Sequence, residues 1–192
     1  KKKLLLQNKF LFIFIGRVVK DKGIEELLES FTKLNKKYKN SRLLILGWQE
    51  KHLDPISKKA QNYLTNNKNI IYLGFKRDIR PYLVASNCLV LPTYREGFPN
   101  VILQAGSMGV PSIATNINGC NEVIANKVNG LLVKPKNTQS LYLAMKKILI
   151  DKKLYSKFKK STRETIIKRY SKGILLNEIL LTYLNLSKNK LN

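Results

Sequence analysis

A carboxylate, a glycine and a proline stand together in the stretch YREGFPN (94–100), directly after the apolar run CLVLP (88–92). Glu96 can accept hydrogen bonds from sugar hydroxyls, and Gly97 lets a ligand approach the backbone closely. Pro99 suits the first helical position, where its missing N–H has no intrahelical partner anyway. The amides of Asn100, Val101 and Ile102 then point free from a helix start, which carries partial positive charge and binds phosphate. Gln104 lies one turn, ~6 Å, deeper on the same face as Asn100. A second stretch, GRVVKDKG (16–23), follows another apolar run. Gly16 allows a tight turn, and Arg17 and Lys22 can clamp a diphosphate, arginine bidentately and lysine as a point charge. The third stretch, NINGCNEVI (116–124), offers the turn Asn118-Gly119 and Glu122 as a brace for a short helix. Each stretch alone also fits a structural role: a capped helix, a solvated basic loop, a plain turn. No Gly-x-Gly-x-x-Gly follows the first apolar run, which argues against an ordinary dehydrogenase.

The elements that must carry these loops alternate. Apolar runs at 10–16, 42–47, 70–74, 88–92, 112–115 and 131–133 read as strands buried on both faces. Ile24, Leu27, Leu28, Phe31 and Leu34 recur at helical spacing. Further helices are expected over about 55–65, 79–85, 100–108, 138–150, 152–169 and 173–187. Alternation of this kind predicts an α/β chain with a doubly wound, Rossmann-like parallel sheet and right-handed crossovers. Ligands of such sheets bind at the carboxyl ends of the strands, where all three stretches fall.

Composition narrows the classes. The chain has 192 residues, 44% of them apolar, enough for one full-sized core. No run of about 18 apolar residues predicts a membrane-spanning helix. The opening KKKLLLQNKFLFIFIG is broken by Gln7, Asn8 and Lys9 and lacks a small-residue cleavage site, so it does not read as a signal peptide. Cys88 and Cys120 lack metal-ligand spacing and read as buried thiols of a cytosolic protein. His52 is the single histidine, so no metal site is expected. The net charge is +24, and residues 146–172 hold eleven Lys and Arg against Asp151 and Glu164. Three readings compete for this charge: nucleic acid, an anionic membrane surface, or a solvated lysine-rich face. No nucleic-acid module accompanies it, so no nucleic-acid partner is expected.

Four segments, GRVVKDKGIEELLESF (16–31), IIYLGFKRDI (70–79), LVLPTYREGFPNVILQAGSMGVPSIAT (89–115) and NGLLVKP (129–135), together resemble the carboxyl-terminal half of a GT-B glycosyltransferase. The resemblance is to the large retaining group, glycosyltransferase family 4, and spans about Phe10 to Ile150. It implies the second lobe of the GT-B fold, with a nucleotide-sugar-binding unit over 1–150. Helices over 151–192 would then pack towards an amino-terminal lobe that this chain lacks, leaving Leu175, Leu176, Ile179, Leu180 and Leu184 partly exposed. By the same resemblance Arg17, Lys22 and Glu96 carry the chemistry. The two cations hold the diphosphate above Gly16, and Glu96 contacts the transferred sugar. The backbone from Gly97 through Phe98, Pro99, Asn100 and Val101 to Ile102 lies near sugar and phosphate. Position 104 binds the ribose, and the base packs near Gly74, Phe75 and Lys76.

The implied donor is a UDP-hexose or UDP-N-acetylhexosamine, used without a metal or further cofactor. The implied acceptor is a lipid-linked or other saccharide held by the other lobe, in the assembly of capsule or similar surface polysaccharide. The expected location is cytoplasmic, with the basic carboxyl-terminal third helping to hold such an enzyme peripherally at the inner membrane face. This half alone is expected to bind donor and transfer nothing. Two other classes stay open: a non-catalytic nucleotide-sugar-binding module, and a basic adaptor for membrane or nucleic acid. Two departures stand out. Gln104 occupies a position where the family pattern has an acid, and an amide offers one acceptor oxygen where a carboxylate takes both ribose hydroxyls. Trp48, in Gly47-Trp48-Gln49-Glu50, replaces a glycine-rich turn; it either packs on the surface or edges the base pocket.

Overall fold

A computed structural model describes residues 6–50 and 52–189. Six strands form one all-parallel sheet. They are β1 (Phe10–Ile15), β2 (Ser41–Leu46), β3 (Ile70–Tyr72), β4 (Cys88–Leu91), β5 (Ser112–Thr115) and β6 (Gly130–Val133), in the order β3-β2-β1-β4-β5-β6. The helices are α1 (Ile24–Lys37), α2 (Lys58–Asn66), α3 (Arg80–Ala85), α4 (Asn100–Ser107), α5 (Cys120–Val123), α6 (Thr138–Ile150), α7 (Lys152–Tyr170) and α8 (Lys172–Asn189). The doubly wound α/β architecture expected from the alternation is the one observed.

Burial explains the strand sequences. Leu11, Phe12, Ile13 and Phe14 of β1 have no exposed surface, because helices cover both faces of the sheet. Phe12 lies between Phe10 (ring centroids 4.9 Å apart) and Phe31 of α1 (6.5 Å). Burying such a ring contributes about 2–3 kcal/mol. The predicted stripe Ile24, Leu27, Leu28, Phe31 and Leu34 is the buried face of α1, which packs against α2 and α6. On the other face α4 packs against α3 and α7. Helix α7 buries Phe158, Thr162 and Ile166 there. Side chains start the peripheral helices: Ser57 accepts from the Ala60 amide, Asn137 from Ser140, and Asp151 from Leu154.

Strand order decides where a ligand can enter. The sheet grows outward from β1 in one direction and from β4 in the other. The chain leaves these adjacent strands towards opposite faces, so a crevice opens between their carboxyl ends. The two most reactive sequence stretches, after β1 and after β4, meet there.

Several boundaries differ from the sequence expectation for local reasons. The strand expected over 70–74 stops at Tyr72; Gly74 turns out of the sheet at φ +64. The helix expected from 55 begins at Lys58, once Ser57 caps it. A 3-10 turn at Lys20–Lys22, hidden inside the basic loop, was not expected.

Helix α8 stands apart. Leu175, Leu176, Ile179, Leu180 and Leu184 are 46–55% exposed, as expected from the sequence. Among the described residues no helix is long and apolar enough to cross a membrane.

The ends of β1 and β2 approach so closely that only glycine fits at position 47. Gly47 has φ +144, and a Cβ there would lie 1.8 Å from the Gly16 carbonyl oxygen. Gly47→Ala is therefore expected to lower the unfolding free energy by about 2–4 kcal/mol. Urea unfolding checks this; an unchanged midpoint would contradict the tight seam between the two loops.

Candidate functional site

Backbone hydrogen bonds fix the loop after β1. The Gly16 amide donates to the Leu46 carbonyl (3.0 Å), and Val18 donates to Trp48 (2.7 Å). The 3-10 turn closes when the Gly23 amide donates to the Lys20 carbonyl (2.8 Å). Gly23 sits at φ +66, and a Cβ on it would fall 2.0 Å from the Pro92 carbonyl oxygen. The turn is thereby seated on the loop after β4. That second loop holds on through the Tyr94 amide, which donates to the Asp21 carbonyl (2.8 Å). Buried Thr93 braces it, its hydroxyl donating to the Arg95 carbonyl (3.0 Å) and its own carbonyl accepting from Thr115 Oγ1.

Seating one loop on the other brings Lys22 Nζ to 2.7 Å from Glu96 Oε1. Their side chains are 17% and 19% exposed. The two residues lie 74 positions apart, and nothing in their separate motifs announced that they touch. A lysine ammonium has three hydrogens and a carboxylate has two oxygens. The pair therefore keeps capacity to bind a ligand while each member orients the other.

Helix α4 begins beside this pair. Pro99 is buried and precedes the first helical residue at φ −79, ψ 89; the helix starts at Asn100 as expected, but Pro99 stands just outside it rather than in its first position. The expectation of three free amides is corrected to two. Ile102 donates its amide to the Pro99 carbonyl (2.9 Å) and buries its side chain. The short bond forms because the proline carbonyl is the nearest acceptor to the helix start. No side chain caps α4, and the amides of Asn100 and Val101 have no backbone acceptor among the described residues. Gln104 is exposed one turn deeper. Phe98 sets its ring edge against Tyr170 of α7 (5.6 Å, 63°). Gly97 is exposed; a Cβ there would meet no atom within 4 Å, and its φ is outside the left-handed region. Neither crowding within the chain nor backbone strain accounts for glycine at that position.

Arg17 stands at the outer end of the crevice, half exposed. Its Nη1 donates to Glu50 Oε2 (3.1 Å), and its Nη2 lies 3.9 Å from Asp21 Oδ2. The same Asp21 oxygen accepts from Arg95 Nε and Nη2, each at 3.3 Å. Asp21 Oδ1 is buried without a hydrogen-bond partner. Arg17 also separates two cavities. One, about 550 Å³, takes in Lys20, Leu53, Asp54 and Tyr94. The other, about 210 Å³, is lined by Gly16, Trp48, Phe75, Lys76 and Ile79.

The rings of Trp48 and Phe75 stack beside that smaller cavity, centroids 5.2 Å apart and planes 12° from parallel. Both are more than half exposed. A flat aromatic ligand can stack on such a surface. Trp48 lies on the surface and lines the smaller cavity. Lys76 and Phe75 line the cavity, whereas Gly74 sits behind it and accepts the Gly47 amide (3.0 Å).

The third sequence stretch closes the inner side. Glu122 Oε1 accepts from the Gly119 amide (3.1 Å), the brace expected of it, and the Tyr170 hydroxyl donates to the Glu122 carbonyl (2.7 Å). Cys120 is buried near Glu96; burial and that carboxylate push its thiol up to about 12. Burial pushes the Cys88 thiol up as well. Neither cysteine is a nucleophile at neutral pH. His52 is exposed. The sequence reading missed Glu50 and Asp21 as partners of Arg17. Asp21, four residues after Arg17 inside the basic loop, was the available signal; Glu50 follows β2, 33 residues away, and no local pattern links it to Arg17.

The comparisons with known proteins are consistent with this geometry. A sequence model of the family described as Glycosyl transferases group 1 matches residues 1–165. The capsular polysaccharide biosynthesis glycosyltransferase CapM of Staphylococcus aureus is 31% identical over 175 residues, covering 91% of this chain and 46% of that protein. A relative from Escherichia coli, UDP-Gal:alpha-D-GlcNAc-diphosphoundecaprenol alpha-1,3-galactosyltransferase, is 29% identical over 188 residues, covering 97% of this chain and 48% of that protein. The crystal structure of the C-terminal domain of a group 1 glycosyl transferase, LpcC of Francisella tularensis, superposes with a TM-score of 0.81 at 25% identity, covering 89% of this chain and 91% of that one. The chain spans about half the length of the curated relatives it matches.

Proposed function

Because this chain belongs to the glycosyl transferases group 1 family, we propose that it is the donor-binding unit of a glycosyltransferase. It binds a UDP-hexose or UDP-N-acetylhexosamine in the crevice between β1 and β4. Joined to an acceptor lobe, it transfers the sugar, with retention, to a saccharide carried on a lipid in surface-polysaccharide assembly. The E. coli relative, whose name gives both a UDP-sugar donor and a diphosphoundecaprenol-linked acceptor, supports the choice of substrates. The exposed apolar side chains of α8 are the surface we assign to the acceptor lobe, and residues 1–150 are assigned to the donor.

One observation carries this reading: Lys22 and Glu96, from opposite sides of the sheet's reversal, meet at 2.7 Å beside the uncapped start of α4. The diphosphate lies between Lys22, with Arg17 released from Glu50, and the amides of Asn100 and Val101. Glu96 accepts from hydroxyls of the transferred sugar. The base stacks on the Trp48–Phe75 surface near Lys76, and Gln104 faces the ribose. During transfer the anomeric C–O bond to the diphosphate breaks, a bond to the acceptor hydroxyl oxygen forms, and the hydroxyl proton passes to the departing diphosphate. The charge that develops on the departing diphosphate is met by positioned cations and a helix end, groups that need no reorganisation at that moment.

Calorimetric titration with a panel of nucleotide-sugars tests the reading. A UDP-sugar is expected to bind more tightly than GDP- or ADP-sugars; binding of none would overturn it. Gln104→Glu is expected to tighten the UDP-sugar two- to thirtyfold, because a charge-assisted bond to the ribose replaces a neutral one and contributes about 0.5–2 kcal/mol more. Unchanged or weaker affinity in the same titration would remove Gln104 from the ribose site.

A further inference from the structure

We propose that the outward face of α7 seats the protein on an anionic membrane surface. Lys153, Lys157, Lys160, Arg163 and Lys168 recur at helical spacing on the side opposite the buried Phe158, Thr162 and Ile166. All five are exposed, and none is in an ion pair among the described residues. Glu164 is the one carboxylate among them. From Lys153 to Lys168 the stripe runs ~22 Å. That is too long for one small anion and matches a plane of repeated charges. Ile167, 50% exposed on the same side, sits among lysine stems, which can lie along apolar surface while their ammonium groups reach headgroups.

The alternative of nucleic acid is less suited to this face. Single-strand binding uses aromatic rings for base stacking, and the exposed Trp48–Phe75 stack lies beside the smaller cavity, in the loops after β2 and β3, not on α7. A second argument rests on the proposed function: an acceptor with a polyprenol tail, like that in the E. coli relative's name, keeps its transferase at a bilayer. The charge stripe itself does not depend on that reading.

Binding is measured by co-sedimentation with vesicles that contain neither UDP-sugar nor acceptor, so failure here leaves the proposed function standing. The intact chain is expected to bind vesicles of equimolar phosphatidylcholine and phosphatidylglycerol, and not phosphatidylcholine alone. Binding should vanish as salt shortens the Debye length from ~10 Å at ~0.1 M to ~3 Å at ~1 M. Each lysine near such a surface strengthens partitioning about fivefold, so Lys153→Gln/Lys157→Gln/Lys160→Gln is expected to weaken it about a hundredfold. Glutamine keeps helix propensity, and a thermal melt of each variant verifies the fold. The control Lys36→Gln/Lys37→Gln/Lys58→Gln removes equal charge from the α1–α2 face and is expected to stay within about threefold of the parent, since these lysines sit across the sheet and beyond a Debye length of the bilayer. Equal loss in both variants would reduce the effect to net charge and overturn the proposal. So would no preference for phosphatidylglycerol, or tighter, α7-dependent binding of a mixed-sequence oligonucleotide.

Discussion

Lys22→Met is expected to lower sugar transfer by a hundred- to a thousandfold in an enzyme carrying both lobes. Removing one positioned group that stabilises developing charge costs about 3–4 kcal/mol of barrier. Stability alone would not explain such a fall. Lys22 and Glu96 are only partly buried, so breaking the bond by changing one partner costs about 1–2 kcal/mol of folding free energy. Changing both partners separates the two roles. Lys22→Met/Glu96→Gln leaves no unpaired charge, and most of the lost stability is expected to return. Transfer is expected to stay as low as in the worse single variant. Thermal melts and initial rates on the four proteins complete the cycle. If the rate recovered together with the stability, the 2.7 Å contact would be a structural bond only.

Gly97→Val is the second large expected effect, with the opposite division between stability and function. Position 97 has open space around a hypothetical Cβ and a backbone conformation that any residue adopts. The melting temperature should therefore stay near that of the parent. If a sugar diphosphate lies against this backbone, two added methyl groups meet the ligand, and overpacking of about 1–3 kcal/mol weakens binding roughly ten- to a hundredfold. The same titration that screens the UDP-sugars measures it. Unchanged affinity would move the ligand away from Gly97. Gly47→Ala gives the contrast: there the nearest atoms belong to the chain itself, and stability falls.

Much of the fold was legible because a parallel sheet covered on both faces needs continuous apolar strands, and β1, β2 and β4 supply them with little ambiguity. Helix α1 was equally plain, since its buried stripe keeps a 3.6-residue period. Boundaries were less legible where a cap or a turn decides them, as at Ser57 and Gly74. Strand order is not written in any local pattern. The adjacency of β1 and β4 places two separate loops in one crevice, and it is what brings Lys22 to Glu96. The individual residues could be read from their types; their contact could not. The Trp48–Phe75 stack was hidden for a similar reason, since two loops that follow neighbouring strands each contribute one ring. Pro99 illustrates the limit of a positional rule. Proline favours a helix start in general, yet here it stands just outside and spends its carbonyl on the amide of Ile102.

The claim on which the rest depends is that a pyrophosphate is held between cations of the β1 loop and the open end of α4. A crystal structure of the chain with a UDP-hexose tests it most directly. The account predicts phosphate oxygens within hydrogen-bond reach of Lys22 Nζ and of the Asn100 and Val101 amides, with Arg17 turned from Glu50 and the uracil against Trp48. Phosphates bound elsewhere, with Lys22 still engaged only by Glu96, would contradict it.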